Sequence, residues 1–366
     1  MNRRRFVASA ALGGAAIGAV AAALPRPAIA QSPQTVQWRL ASSFPKTLAT
    51  LTGGMDYLCA RVAELTDNRF QISPGDFVPP LAVLDAVQAG TVEIGHTSLS
   101  YHVGKDPTFG FGACVPFGLT SRQQMAWLRH GGGLDLVNEL LKTYGCLGLP
   151  AGNTGAQMGG WYRKEIKTPD DIKGLKIGIA GLAGNVIARM GGAPQVFAAG
   201  DLAAALEKGS ITAGAWTGPY DDEKLGLNKL ARIYHYPGWW AGNETLWATV
   251  NLDKWRDLPA TYKAALQAAC ADASEWVQAR YDAENPPALR RLLTNGTQLK
   301  PFSPELLQAA YKASVEVNNE LAAKTPLFRK TYESWKAFRD EEYVWFRAAD
   351  YRFETFVYGA QGAAKK

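Results

Sequence analysis

Asp221, Asp222 and Glu223 are three consecutive carboxylates that could serve acid–base chemistry. They follow Trp216 and a Gly-Pro-Tyr turn in the stretch "ITAGAWTGPYDDEKLG", residues 211–226. Acid–base catalysis by carboxylates needs two of them in one pocket with separated pKa values. Adjacent residues at a helix start point in different directions, and the helix dipole favours acidic residues in the first turn. We therefore interpret the run as the start of a helix after the proline.

Other catalytic patterns are absent from the sequence. It contains no GxSxG, HExxH or GxxxxGK[ST] motif, and the "GFG" at 110–112 is too short to indicate a dinucleotide site. The histidines are widely separated and are interpreted as core or surface residues: His96, His102, His130 and His235. The cysteines show no metal-binding spacing, which favours buried free thiols over a disulfide: Cys59, Cys114, Cys146 and Cys270. The sequence thus predicts a protein that is not an enzyme, with no metal site and no cofactor.

Strand-like and helical patterns alternate over the first two thirds of the chain. The extended candidates are "TVQWRLAS", "RFQIS", "VEIGHTS", "LGLPAGN", "LKIGIAG" and "PQVFA". Between the first two, apolar residues recur at helical spacing: Leu51, Met55, Leu58, Val62 and Leu65. This alternation predicts an α/β fold with parallel-type sheets.

Long helices follow from about residue 256, and the sequence predicts that prolines separate them: Pro286, Pro287, Pro304 and Pro326. The last helix carries aromatic residues at helical spacing: Phe328, Tyr332, Trp335, Phe338, Trp345 and Phe346. Such a stripe is typical of a protein core, and on a terminal helix it is equally compatible with a subunit interface.

Residues 1–30 have the three parts of an export signal: a basic start, an apolar run and a small-residue cleavage site. The pair Arg3–Arg4 fits the twin-arginine pattern, with an ordinary secretory signal as the alternative. Both predict a periplasmic location. Without the four arginines of this segment, the 39 basic side chains fall to 35 against 33 acidic ones, so nucleic acid is not a favoured partner. No other stretch approaches the roughly twenty apolar residues of a membrane span.

Several ordered motifs resemble the DctP-type solute-binding proteins of TRAP transporters, and most closely the subgroup that binds 2-oxo acids. They are "VPPLAVLDAVQAGTVEIGHTS", "HVGKDPTFGFGACVPFGLTSRQ", "AGNTGAQMGGWYRKEIKTPDDIKGLKIGIAGLAGNVI", "WTGPYDDEKLG", "IYHYPGWW" and "NLDKWRDLP". The resemblance covers about residues 35–358.

The resemblance implies a two-lobed periplasmic receptor that closes on a small organic solute and passes it to sodium-driven TRAP permease subunits. It divides the chain into lobe I (31–155 with 248–300), lobe II (156–247) and C-terminal helices (301–366). It also implies a homodimer formed through an exchanged C-terminal helix. In the family, the loop corresponding to "AGAWTGPYDD" lines the cleft, which makes Trp216 a pocket wall that stacks over the solute.

Three positions depart from what the resemblance implies. The 2-oxo-acid subgroup has an arginine that clamps the ligand carboxylate, and this chain has Gly178 there. Members of the subgroup hold a metal ion with a glutamine, a glutamate before the pocket tryptophan and an acidic residue after "PGWW". This chain keeps the glutamine as Gln157, but Ala215 replaces the glutamate and Ala241 replaces the acidic residue. One cation and two anions are missing together, as expected if the ligand carboxylate and its metal are both dispensed with.

We therefore expect an altered specificity for a larger, less charged or aromatic solute in a cavity enlarged at Gly178 and Ala215. The predicted ligand-binding residues are Gln157, Trp216, Asn153, Tyr101, Trp161, Gly178, Ala215, Tyr220 and Trp240. Glu244 is either a compensating metal or amine ligand or an exposed strand residue. An organic acid held by another donor, such as His102 or Lys176, remains an alternative. A periplasmic sensor subunit and an enzyme on the same scaffold are the competing function classes.

Overall fold

The computed structural model describes residues 34–364, with side chains up to residue 361, so the predicted export segment lies outside the described residues. The first of two sheets has the strand order β2-β1-β3-β10-β4. Its strands are β1 (Val36–Ser42), β2 (Phe70–Gly75), β3 (Ile94–Ser98), β4 (Cys146–Asn153) and β10 (Thr245–Asn251). β1 runs parallel to β2 and β3, whereas β10 is antiparallel to β3 and β4.

The second sheet has the order β11-β9-β5-β8-β6-β7. Its strands are short: β5 (Trp161–Tyr162), β6 (Lys176–Gly178), β7 (Ala193–Gln195), β8 (Ala213–Gly214), β9 (Ile233–Tyr236) and β11 (Gln298–Pro301). β5 is antiparallel to both neighbours, and the other pairs are parallel. Both sheets are therefore mixed rather than purely parallel. In the first sheet, the chain leaves for the second sheet after β4 and returns along β10, so β10 pairs with β4 in the antiparallel direction.

Helices pack around the two sheets. They are α1 (Ala49–Leu65), α2 (Val83–Gln88), α3 (Phe109–Gly112), α4 (Ser121–His130), α5 (Gly133–Thr143), α6 (Leu182–Arg189), α7 (Ala199–Glu207), α8 (Pro219–Lys224), α9 (Leu227–Leu230), α10 (Leu252–Asp257), α11 (Ala260–Thr294), α12 (Pro304–Lys324), α13 (Pro326–Ala348) and α14 (Asp350–Ala364). The helix predicted from apolar spacing is α1, whose residues Leu51, Met55, Leu58 and Val62 are buried while Leu65 is exposed. No helix among the described residues has the length and apolar character of a membrane span.

α11 connects the cores of the two sheets. Its first half packs with α1 against the first sheet, where Leu266 and Ala269 join a core that contains Leu40. Its last turns place Leu292 in the core beside Trp161 of the second sheet. The sequence predicts that Pro286 and Pro287 separate helices, and this prediction is wrong, because both lie inside α11.

A proline inside a helix removes a backbone hydrogen bond and disfavours the preceding turn. Tertiary packing offsets this cost in α11, because Ala288 and Leu292, beyond the prolines, are fully buried. Arg291, one residue before Leu292, also forms an ion pair with Glu223 of α8, with 2.6 Å between Nη2 and Oε2. The other two predicted boundaries, Pro304 and Pro326, are the first residues of α12 and α13, where the missing N–H has no intrahelical partner in any case.

The aromatic stripe of the C-terminal region divides into a buried and an exposed part. Phe328, Tyr332 and Trp335 pack into the core formed with α3, α4 and α5. Further along the chain, large apolar side chains are 60–76 % exposed: Val344, Trp345, Tyr351, Phe353, Phe356 and Tyr358. The core interpretation of the stripe therefore holds for its first half, whereas α13 and α14 leave large apolar side chains exposed further along.

The predicted α/β architecture with long C-terminal helices is confirmed, with mixed sheets. The division into two lobes stays a prediction. The predicted boundary of lobe I at residue 300 falls within β11, and this strand pairs with β9 of the second sheet. The four cysteines are buried free thiols.

Candidate ligand-binding site

A cavity of about 680 Å³, counted with the open space at its mouth, is lined by segments from both sheets. The first sheet contributes the residues that follow β3 and β4 and those around the start of β10. The second contributes the residues that follow β6 and β8. The side chains that line it are Phe44, Leu51, Ser98, Ser100, Tyr101, Cys114, Thr154, Gln157, Gly178, Ile179, Ala180, Phe197, Leu202, Ala215, Trp216, Thr217, Trp240, Glu244 and Leu246. Its mixture of aromatic and polar groups is typical of small-molecule sites.

Six of the nine predicted ligand-binding residues line this cavity: Gln157, Trp216, Tyr101, Gly178, Ala215 and Trp240. The amide of Gln157 donates to Thr154 Oγ1 at 3.3 Å, which holds the side chain at the cavity wall. The backbone N–H of Gln157 donates to the carbonyl of Ala241 at 3.0 Å, so the loop after β4 is tied to the segment before β10.

The other three predicted residues, Asn153, Trp161 and Tyr220, do not line it. Asn153 is buried and donates to Asn243 Oδ1 and Thr245 Oγ1 at 3.0 and 3.2 Å, so its amide organises the backbone next to the cavity. Trp161 is buried in the core of the second sheet. Tyr220 is buried at the start of α8.

The predicted helix start at the acidic run is α8, which begins at Pro219. Its two aspartates are fully buried, and they hold aromatic side chains in place. Asp222 Oδ2 accepts hydrogen bonds from Trp161 Nε1 at 2.8 Å and from the Tyr234 hydroxyl at 2.7 Å. Asp221 Oδ2 accepts one from the Tyr281 hydroxyl at 2.6 Å. Asp221 and Asp222 therefore join α8 to α11 and to the second sheet, directly behind the cavity.

Burial dominates the ionisation of both aspartates. It raises the pKa of Asp222 to about 7, against the lowering effect of the Tyr234 and Trp161 donors. It raises the pKa of Asp221 to about 6, against the effects of the Tyr281 hydroxyl and the Trp216 indole. Trp216 Nε1 and Asp221 Oδ1 are each buried without a hydrogen-bond partner among the described residues. Trp216 is thus a cavity wall whose polar edge points toward this aspartate.

Gly178 lies at the cavity but does not enlarge it. A Cβ atom at this position would lie 2.3 Å from Leu202 Cδ1 and within 3.2 Å of Ile211 and Phe197 side-chain atoms. The expectation that the glycine opens additional space is therefore wrong, because apolar side chains fill the volume next to it. Two of them, Phe197 and Leu202, line the cavity themselves.

Glu244 is the cavity residue whose role the sequence left open, and it is not an exposed strand residue. It is 8 % exposed and lies immediately before β10. Its carboxyl group accepts hydrogen bonds from the hydroxyls of Ser98 and Ser100 and from the Cys114 thiol. Burial raises the pKa of Glu244, and these three donors partly oppose the effect.

No arginine, lysine or histidine is among the described residues that line the cavity. His102, considered as a substitute donor, is buried outside it, and burial lowers its pKa to about 4. Lys176, the other substitute, is exposed on β6. Neither of these two side chains lines the cavity.

The metal site that the family resemblance implies does not fit these residues. Hard cations need several oxygen ligands, preferably anionic. Gln157 offers one amide oxygen, Ala215 and Ala241 offer no side-chain oxygen, and the three donors to Glu244 leave one acceptor position on its carboxyl group. No cluster of three or more His, Cys, Asp or Glu side chains suited to a metal occurs in the described part of the chain.

The sequence missed Ser98, Ser100, Thr154 and Cys114 as cavity residues. The alternation of serines in "SLSYH", directly after a buried strand, was the available sign for the first two. Cys114 gave no sign, because a single cysteine far from the others is usually a core residue.

Comparison with known proteins places this chain in a family. Residues 41–325 match the family model of DctP, the bacterial extracellular solute-binding proteins of family 7. A monocarboxylate 2-oxoacid-binding periplasmic protein of Nostoc sp. (strain PCC 7120) is 46 % identical over 365 residues, covering 99 % of this chain and 100 % of the relative.

Two solved structures are also similar. A TRAP transporter solute-binding protein from Bordetella bronchiseptica, a mixed-occupancy dimer with copurified calcium and picolinate in one active site, is 44 % identical with a TM-score of 0.89; the match covers 90 % of this chain and 99 % of that one. A TRAP periplasmic solute-binding protein from Pseudoalteromonas atlantica, with bound sodium and pyruvate, is 33 % identical with a TM-score of 0.85; the match covers 88 % and 99 %. The chain therefore belongs to the DctP family of TRAP solute-binding proteins.

Proposed function

We propose that this protein is the exported solute-binding component of a TRAP transporter. It captures a small organic solute in the cavity between the ends of the two sheets and delivers it to membrane permease subunits for sodium-driven uptake. The full-length match to a periplasmic binding protein supports this role. Residues 1–30, with their export-signal pattern, provide the route to the periplasm.

We further propose that the solute is not a 2-oxo acid held as a metal complex. The observation that carries this proposal is the absence of any arginine, lysine or histidine from the described cavity lining. A carboxylate in a desolvated cleft requires a cation or a metal beside it, because an unpaired buried charge costs several kcal/mol. The packing beside Gly178 supports an altered specificity. Phe197 and Leu202 occupy the space that an arginine side chain at position 178 would need.

Retention of monocarboxylate binding is the second candidate. The two relatives at 46 % and 44 % identity favour it, one named for 2-oxoacids and the other holding picolinate. In this case the carboxylate would be bound by neutral donors, such as the Gln157 amide and the hydroxyls of Tyr101 and Thr217.

We also propose a homodimer formed through the exposed apolar side chains of α13 and α14. Six large apolar side chains on these two helices are each at least 60 % exposed. Exposed apolar areas of this kind are typical of interfaces. The similar Bordetella protein is itself a dimer, which supports a second copy of this chain as the occupant.

A thermal-shift screen of the purified protein tests the proposed specificity. The panel contains pyruvate and larger 2-oxo acids, aromatic acids, amines and neutral solutes, each with and without sodium or calcium. A solute that binds the native state raises the unfolding temperature. Metal-independent stabilisation by non-2-oxo-acid solutes supports the proposal, whereas metal-dependent stabilisation by pyruvate supports the second candidate. If no solute of any class stabilises the protein, the solute-binding role itself fails.

A further inference from the structure

Glu244 provides the one carboxyl group in the described cavity lining. It comes from the segment that connects the second sheet to β10, and its backbone is held on both sides. Its N–H donates to Thr154 Oγ1 at 3.2 Å, and its carbonyl accepts from the N–H of Thr154 at 3.0 Å. The position of the carboxyl group is therefore fixed by the fold, independently of any ligand.

Three neutral donors hold the carboxyl group from the protein side. The hydroxyls of Ser98 and Ser100 both donate to Oε1, the latter at 2.8 Å. The Cys114 thiol donates to Oε2 at 2.9 Å. An ionised carboxylate has about four acceptor positions. These donors leave one position, on Oε2, for a group that enters the cavity.

The charge of this group is not balanced by the protein. Glu244 forms no ion pair with any described residue, and the other titratable side chains of the lining, Tyr101 and Cys114, have pKa values raised above their ordinary ranges by burial. The cavity therefore contains one potential negative charge and no positive one. A cationic ligand would favour the ionised carboxylate and supply its missing partner, whereas an anionic ligand would bring a buried charge that no cation of the lining balances.

The aromatic walls are compatible with a cation that carries an apolar body. Trp216, Trp240, Tyr101 and Phe44 line the same cavity. Their ring faces attract an ammonium group electrostatically and accept an apolar or aromatic substituent. The hydrogen-bonding side of the cavity and its apolar side thus match the two ends of an organic amine.

We infer that the cavity recognises a primary ammonium group of an organic amine through Glu244, with the ligand's apolar body against Trp216. This inference rests on the proposed solute-binding function and specifies the class of solute. Ser98, Ser100 and Cys114 act as positioning residues that orient the carboxylate, and Glu244 is the residue that contacts the ligand.

Isothermal titration with two matched sets of probes tests the inference: benzylamine, benzyl alcohol and benzoate, and butylamine, butan-1-ol and butanoate. We expect at least one amine to bind more tightly than its alcohol and its acid. In Glu244→Gln, which keeps the volume and an acceptor but removes the charge, that affinity falls by about tenfold or more, as expected for loss of a desolvated charge pair. The control Glu305→Gln, at an exposed position on α12, leaves it unchanged.

Cooperative unfolding of both variants verifies that they fold. Binding of an acid or alcohol without its amine overturns ammonium recognition but leaves the solute-binding function standing. Ammonium recognition is also overturned if Glu244→Gln leaves the affinity for the amine unchanged. The same holds if neither amine binds while other solutes of the wider panel do bind. If neither these probes nor that panel bind, the proposed function has failed as well.

Discussion

Replacement of Asp222 by asparagine tests how the wall behind the cavity is held. Asp222 is fully buried, and its pKa is raised by burial from 3.8 to about 7. The folded protein therefore binds one more proton than the unfolded chain between about pH 4 and pH 7. The contribution of this group to the free energy of unfolding is fully present below the unfolded pKa, and it is lost as the pH rises through the folded pKa.

The size of the effect follows from the shift in pKa. Each pKa unit corresponds to about 1.4 kcal/mol, so the change from 3.8 to about 7 corresponds to about 4 kcal/mol. The carboxyl group is fully buried, so solvent does not screen this interaction. Asparagine cannot ionise. The stability of the wild type relative to Asp222→Asn should therefore decrease by about 4 kcal/mol between pH 4 and pH 8.

Urea denaturation at one-unit pH intervals measures this difference. Asp76→Asn is the control, because the Asp76 side chain is 90 % exposed and its change should shift stability little at any pH. A constant difference between wild type and Asp222→Asn would refute the reasoning, as would a relative stability of the wild type that increases with pH. A constant difference would mean that the Trp161 and Tyr234 donors balance the effect of burial on the pKa of Asp222, and an increase with pH would mean that they outweigh it.

Two further predictions concern the cavity wall and the C-terminal helices. Gly178→Ala should destabilise the protein by about 1–3 kcal/mol through overpacking against Leu202. In a double-mutant cycle, this cost should be smaller when Leu202 is replaced by alanine. An equal cost in the wild-type and Leu202→Ala backgrounds would contradict a cavity wall that is filled beside Gly178. Glutamate in place of Trp345 or Phe356, which are 62 % and 76 % exposed, should convert a dimer to a monomer in sedimentation experiments, whereas Lys336→Glu on the same helix should not. A native protein that sediments as a monomer would contradict the proposed interface.

Four of the five strands of the first sheet were predictable because their apolar runs are continuous or alternate clearly, whereas β10 was not among the predicted strands. The segments around β1, β2, β3 and β4 all carry such runs and all form strands. β5 and β8, by contrast, are only two residues long. A two-residue strand has no periodicity to detect, since it is defined by its partners in the sheet rather than by its own sequence.

The proline pair in α11 shows where a local rule fails. Pro286 and Pro287 disfavour a helix locally, but the burial of Ala288 and Leu292 on the following turn depends on residues far away in the chain. Tertiary packing of this kind overrides propensity and is not visible in a single sequence.

At the candidate site, the sequence located some cavity residues and misplaced others. Trp216 and Gln157 line the cavity, whereas Asn153, Trp161 and Tyr220 do not. Glu244 could not be assigned, because its burial depends on Ser98, Ser100 and Cys114, which lie more than 100 residues earlier in the chain. The enlargement expected at Gly178 failed for a similar reason, since Leu202 of α7 and Phe197, just before that helix, approach it from later in the chain.

Isothermal titration of the purified protein with pyruvate, in the presence and absence of calcium, is the most direct test of the central claim. Without an arginine clamp and with alanine at positions 215 and 241, the protein should give no saturable pyruvate binding in either condition. Saturable binding of pyruvate that requires calcium would contradict the account, because it would show that the cavity still assembles the metal and carboxylate site seen in its relatives.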